Sequence, residues 1–211
     1  NYVEDANITV KNVTYGTEQT LSYRGSGLYT ATMKAYAGEV YAIDIELNGQ
    51  HYTSTSTMTD APAVASYRFV WKDFFSQRML FAEAVIDDKP NENNYYFLHL
   101  YRNGVGYRWA VKRDDANPGG EIKQLFSCTT EQRIKDEDED EDVLAEGDVM
   151  RLEVRSIDRK SYDYLYSLQT TSASNTNPIE NFTGGMFGYF SAYSQVDRKI
   201  LFRLASVDEE E

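Results

Sequence analysis

Residues 39–58 read EVYAIDIELNGQHYTSTSTM. Here Tyr41, Ile43, Ile45 and Leu47 alternate with Val40, Ala42, Asp44 and Glu46, the period of two that turns one set of side chains toward a core and the other toward solvent. The pair Asn48-Gly49 comes next. Both residue types accept positive φ, which the two central positions of a type I′ turn demand, so the spacing predicts a hairpin returning through 51–58. This hairpin sets the fold class, and its neighbours agree with it. Upstream, 8–13 and 28–33 read as strands, with Gly25, Ser26 and Gly27 breaking the chain between them. Residues 1–62 are therefore expected to form a small immunoglobulin-like or transthyretin-like sandwich. Pro62, in the TDAPA stretch at 59–63, interrupts pairing and marks the boundary.

Residues 63–211 are expected to form a larger antiparallel β-sandwich or barrel. Candidate strands cover 67–75, 79–86 and 95–101, then 107–112 after a second Asn-Gly turn at Asn103 and Gly104; polar loops fill 87–94 and 114–121. In VMRLEVRSI, residues 149–157, Met150, Leu152 and Val154 face one way and Arg151, Glu153 and Arg155 the other. The period then changes. With Asp158 as N-cap, Tyr162, Leu165, Tyr166 and Gln169 fall at i, i+3, i+4 and i+7, which predicts one short helix over 158–170. A last strand carries Ile200, Phe202 and Leu204. Seventeen tyrosines and ten phenylalanines suit this all-β reading, because aromatic side chains favour pleated, half-buried surfaces.

The segment NFTGGMFGYFSAYS, residues 181–194, puts two glycines before a run of aromatics. As a strand covered on both sides it would carry Phe187, Tyr189, Ser191 and Tyr193 on one face and Met186, Gly188, Phe190 and Ala192 on the other. The rival reading is a sugar-stacking or peptide-docking platform, which requires those rings to be exposed.

Composition excludes several functions. A single cysteine, Cys128, allows no internal disulfide and no multi-cysteine metal cluster. No apolar run approaches the roughly 18 residues of a membrane-spanning helix, and the first ten residues, NYVEDANITV, lack the basic start and apolar centre of a secretory signal. The net charge of −13 is concentrated in an acidic loop at 136–142 and an acidic tail at 208–211, which together hold all but about −2 of it. Such a chain repels phosphate backbones, so no nucleic-acid partner is expected.

The chemistry-bearing residues form no motif. The acidic loop fails the calcium-loop pattern, because Glu141 stands at the sixth place, where glycine is needed, and Gly147 at the twelfth, where glutamate is needed. His51 and His99 each sit inside a predicted strand, and nothing around Cys128 marks it as an activated nucleophile. Trp71, with Tyr67 and Phe69, and Trp109, with Tyr107 and Val111, read as core aromatics. The sequons at Asn7, Asn12 and Asn181 matter only in a eukaryotic secretory pathway. No catalytic, cofactor-binding or metal-ligating residue is assigned, no ligand-binding residue can be named, and the chain is expected not to be an enzyme.

Together with LAEGDVMRLEVRSIDRKSYDYLYSL (144–168), GLYTATMKAYAGEVYAIDIELNGQHYTSTSTM (27–58) and NYYFLHLYRNG (94–104), the 181–194 segment resembles the Bacteroidota family called domain of unknown function 4249. The resemblance implies a lipoprotein of the outer membrane, on the cell surface or the periplasmic face, encoded beside TonB-dependent transporters. It also implies an N-terminal sandwich-like domain and a larger β-rich second domain. The lipid-bearing cysteine and the first strand expected in the family are absent before Asn1, so membrane attachment would use a cysteine outside this chain. The family supplies no catalytic or binding residues. The expected role is a non-enzymatic accessory or ligand-binding subunit of a TonB-dependent transport system, with a β-barrel transporter as partner and an oligosaccharide or peptide as ligand. The alternatives are a glycan- or peptide-degrading hydrolase that uses two carboxylates, and a structural or adhesive module.

Overall fold

The computed structural model of the chain describes residues 2–74, 76–90, 93–114, 119–136, 143–171 and 177–209. It is mostly strand, with antiparallel sheets of which none closes into a barrel, so the all-β sandwich class read from the sequence holds. The chain divides into two compact units, one of Asn1–Ala61 with Ser156–Ser194, the other of Pro62–Arg155 with Gln195–Glu211. The first crossing falls at Pro62. Unlike the expected split into 1–62 and 63–211, however, residues 156–194 group with the N-terminal unit.

The first unit begins with β1 (Asn7–Asn12), β2 (Glu18–Thr20), β3 (Ser22–Gly25), β4 (Leu28–Thr30), β5 (Val40–Leu47) and β6 (Gln50–Thr57). Four of these form an antiparallel sheet in the order β2-β1-β5-β6, while β3 and β4 pair as a separate hairpin. Asn48 and Gly49 take φ of 53° and 75°, the double positive value that the Asn-Gly pair predicts, and β5 and β6 run in register from Leu47↔Gln50 to Val40↔Thr57.

The second unit contains β7 (Ala63–Phe74), β8 (Gln77–Asp87), β9 (Tyr95–Arg102), β10 (Val105–Arg113), β11 (Glu121–Thr130), a one-turn helix α1 (Glu131–Lys135) and most of β12 (Val149–Ile157). The longer helix α2 (Arg159–Thr171) belongs to the first unit. The chain then returns through β13 (Ser194–Leu201), a 3-10 turn at Leu204–Ser206 and β14 (Asp208–Glu209). Two four-stranded sheets result, β10-β9-β12-β13 and β11-β8-β7-β14. Their inner faces form one apolar core: Phe69, Trp71, Leu80, Ala82, Ala84, Ile86, Phe126 and Cys128 from one sheet meet Tyr96, Leu98, Leu100, Ala110, Met150, Leu152 and Val154 from the other. Each large aliphatic or aromatic side chain buried this way contributes roughly 1.5–3 kcal/mol. The alternation in β12 is as expected, with Met150, Leu152 and Val154 fully buried.

Several expectations are corrected. Residues 181–193 form no strand; the turn at 182–185 and an irregular stretch lead to β13, and Phe187 is 66% exposed. The predicted stripe on α2 is displaced. Tyr162 and Leu165 are buried, but so are Ser161, Tyr164 and Ser167, whereas Tyr166 and Gln169 are exposed. β11 and α1 were not anticipated. Leu204 lies exposed in the 3-10 turn rather than in a last strand. Trp109 leaves the core side because a bulge between Gly106 and Arg108 shifts the alternation: Tyr107 packs on the core, while Trp109 lies opposite His99, with its ring 5.9 Å from that of Phe97. The acidic tail is not a loose appendage over its described part. Asp208 and Glu209 pair in parallel with Val70 and Trp71, Asp208 bonds Arg68 at 3.0 Å, and Glu209 pairs with Arg78. Of the acidic loop only Asp136 is described, so the cation question at 137–142 lies outside the described residues.

Candidate functional site

Cys128, His99 and Glu83 each sit among apolar or ion-pairing neighbours, while His51 is exposed. Cys128 faces the apolar core, and burial pushes its thiol pKa up to about 12, far above that of an activated nucleophile. His99, flanked on β9 by the core residues Leu98 and Leu100, points to the opposite side of its sheet, so the two do not meet. Burial also pushes the pKa of His99 down, and its ring lies between Phe97 and Tyr101, with centroids 5.7 and 4.0 Å away. His51 is exposed and bonds Asp44 at 3.0 Å. Glu83 is a buried carboxylate. Its burial pushes the pKa up, but Arg68 at 2.7 Å and Lys123 at 3.2 Å outweigh that effect and hold it below the usual value, the reverse of what a general acid requires. Among the described residues, no three of His, Cys, Asp or Glu gather closely enough to hold a metal ion.

The 181–194 segment explains its two glycines. It runs beside β6, the edge strand of the first sheet, and meets that edge with polar groups. Thr183 N donates to Thr53 O at 2.8 Å, Ala192 N to Ser56 Oγ at 2.9 Å, and Ser194 Oγ to Thr59 O at 2.6 Å. Gly184, at φ +87°, comes so close that a Cβ there would lie 2.7 Å from His51 O. Asn181, 2% exposed, accepts from Ser54 Oγ at 2.8 Å and from Phe190 N at 2.9 Å through Oδ1. Asp158 caps α2 as expected, receiving Ser161 N at 2.8 Å, and its other oxygen accepts Thr57 N at 2.9 Å. Edges satisfied in this way do not recruit foreign strands. The segment is an edge cover, with Tyr189 stacked on Tyr164 at 5.4 Å.

A concave site lies elsewhere in the same unit. A cleft of about 360 Å³ is lined by Asn12, Tyr15, Thr17 and Gln19 of the β1–β2 region and by Thr32, Met33, Lys34 and Tyr36. Tyr15 and Tyr36 are 72% and 57% exposed. Their backbones, by contrast, are clamped. Tyr15 N donates to Asn12 Oδ1 at 3.2 Å, and Tyr36 N to the Tyr41 hydroxyl at 3.0 Å. Asn12 Nδ2 and the Tyr41 hydroxyl both donate to Glu39 Oε2, each at 2.6 Å. Asn12, Glu39 and Tyr41 are all buried, and burial followed by the Glu39 hydrogen bond pushes the pKa of Tyr41 up. A buried hydrogen-bonded network thus fixes the backbone that carries two exposed rings in the lining of the hollow.

Sequence reasoning missed this cleft because Tyr15 and Tyr36 stand 21 positions apart in turn segments with no shared motif. The one available signal was the pair of isolated tyrosines outside any strand. Asn12 and Asn181, two of the three sequon asparagines, are buried with bonded side chains.

No curated protein and no solved structure matches the chain. A family model does, over residues 1–199, and it covers both units apart from the C-terminal turn and tail. The chain belongs to the family described as Domain of unknown function (DUF4249).

Proposed function

We propose that this protein is a non-enzymatic component of the cell envelope, lipid-anchored at the outer membrane, which serves a TonB-dependent transport system as a ligand-binding or accessory subunit. The observation that carries this reading is the cleft lined by Tyr15 and Tyr36, a hollow of aromatic, hydroxyl and amide groups with Met33 and Lys34 beside them, groups of the kind that orient a ligand without reacting with it. The buried thiol of Cys128 and the ion-paired Glu83 support the non-enzymatic part, since neither can act as nucleophile or acid. The envelope location and the transporter partner rest on the family resemblance. Among the described residues no helix is long and apolar enough to cross a membrane, and a lipid anchor needs none.

The test is to purify the full-length lipoprotein from its native outer membrane without adding a partner. A large TonB-dependent β-barrel should accompany it in near-stoichiometric amount. Repeated recovery of the lipoprotein alone would remove the transporter from this reading.

A further inference from the structure

We propose that the Tyr15–Tyr36 cleft binds a short, uncharged oligosaccharide, with pyranose rings packed against the two tyrosine faces. The inference deepens the binding reading above and rests on it. A pyranose presents C–H groups on its ring faces and hydroxyls around its rim. The C–H faces suit the electron-rich face of a tyrosine ring, and the rim suits side-chain amides and hydroxyls. Both kinds of partner are present, since Thr17, Gln19 and Thr32 line the same cleft as the two rings. The volume of about 360 Å³ lies at the small end of the roughly 300–1,000 Å³ range of ligand pockets.

Charge decides against an acidic ligand. Lys34 is the one cation in the lining, and the Glu39 carboxylate lies just beneath, bonded to the lining residue Asn12. The unit that holds the cleft carries ten Asp and Glu against five Lys and Arg, a repulsive background for any polyanion. Position decides against an extended peptide. Peptides that add a strand bind along a sheet edge through backbone hydrogen bonds. Gln19 lies opposite Val10 in the β1–β2 register, and Asn12 N bonds Thr17 O, so Asn12, Thr17 and Gln19 share one face of the sheet. A ligand in the cleft lies over that face and cannot join the ladder.

The preorganisation has a purpose in this reading. Exposed tyrosines on loose turns would lose rotamer and backbone freedom on binding, and the Asn12–Glu39–Tyr41 network removes the backbone part of that loss beforehand.

The experiment is isothermal titration of the full chain with a panel of uncharged tri- to hexasaccharides of glucose, mannose, galactose and xylose. Trigalacturonate and an extended hexapeptide serve as the charged and peptide probes. At least one uncharged sugar should bind saturably. Tyr15→Ala and Tyr36→Ala should each weaken it at least tenfold, Tyr15→Phe and Tyr36→Phe should largely retain it, and Phe187→Ala, an exposed ring outside the cleft, should leave it unchanged. Thermal melts of every variant check that the fold survives. No binding across the panel, binding confined to trigalacturonate or the hexapeptide, or binding indifferent to both tyrosines overturns the inference. Co-purification with a β-barrel does not depend on these rings, so failure here with the barrel retained sinks the sugar and leaves the transporter role standing.

Discussion

In the second unit the deepest large side chains are Val70, Leu80, Ile86, Leu98, Leu100, Met150, Leu152, Val154 and Phe202, with the ion-paired Glu83 the one polar member; in the first, the buried set includes Asn12, Glu39, Ser54, Ser56, Ser161 and Asn181 beside Tyr41, Tyr162 and Phe182. Both sets belong to one chain of β-rich character, yet the second unit is cemented by apolar area and the first by networks of short hydrogen bonds. Apolar burial is non-directional and tolerates small shifts of its neighbours. Hydrogen-bonded interiors demand specific geometry, and leaving one partner unpaired costs about 1–3 kcal/mol. The cleft, which needs two rings held at fixed positions, lies in the hydrogen-bonded unit.

The largest effect should come from emptying the apolar core. Leu98→Ala removes a fully buried side chain between two sheets and should cost about 2–5 kcal/mol, measured by urea unfolding. A loss under about 1 kcal/mol would mean that this core is looser than its burial indicates, and the contrast between the units would weaken.

That contrast also explains what could be read in advance. Period two in 149–157 announced a buried apolar face, whereas in 40–47 only Tyr41 is buried and both faces are half-covered; Asn48-Gly49 and Asn103-Gly104 announced turns at which both residues do take positive φ. Asp158 announced its helix. β11 stayed hidden because Gln124 interrupts the series Ile122, Phe126 and Cys128, and because the register shifts between Ser127 and Thr129. The 181–193 segment reads as a strand because both of its faces would carry bulk, as in a strand covered on both sides. Its backbone instead meets Thr53 and Ser56 through single, non-ladder hydrogen bonds, and no propensity scale registers those. The cleft was illegible for a related reason: threonine, asparagine, glutamine and tyrosine in short strands and loops look like ordinary surface until the fold places them around a hollow.

The next effect in size separates two adjacent glycines. Gly184→Ala adds a left-handed φ penalty of about 1–2 kcal/mol and drives a Cβ to 2.7 Å from His51 O, a backbone atom that cannot swing away. The total should exceed about 2 kcal/mol. Gly185→Ala meets nothing within 4 Å and should cost only the conformational part, about 1–2 kcal/mol. Equal losses in the two variants would show that the edge cover does not press on β6.

Asn181→Ala should fall close behind, at about 1–3 kcal/mol, because it strips the acceptor from Phe190 N while Ser54 keeps its second partner, the Asn181 carbonyl at 2.7 Å. Hydrogen exchange at Phe190 should accelerate more than exchange at Thr183, whose amide bonds Thr53 O independently of that side chain. Uniform acceleration across 181–194 would instead mark the cover as one cooperative unit.

The smallest effect is visible only as a slope with pH, and it tests whether exposed polar contacts in the first unit share the importance of buried ones. His51 donates to Asp44 at 3.0 Å, and that hydrogen bond, followed by the attraction of the carboxylate, raises the pKa of His51 above 6.5. A raised folded-state pKa means that the imidazolium is favoured in the folded chain. Its contribution is therefore complete below about pH 6.5 and fades as the pH climbs through the higher folded value. The melting temperature of the native chain minus that of His51→Gln should decline between pH 6 and pH 8, and the decline should shrink in 0.5 M salt because both side chains face solvent. A difference that grows with pH would mean that the neutral ring is the favoured form.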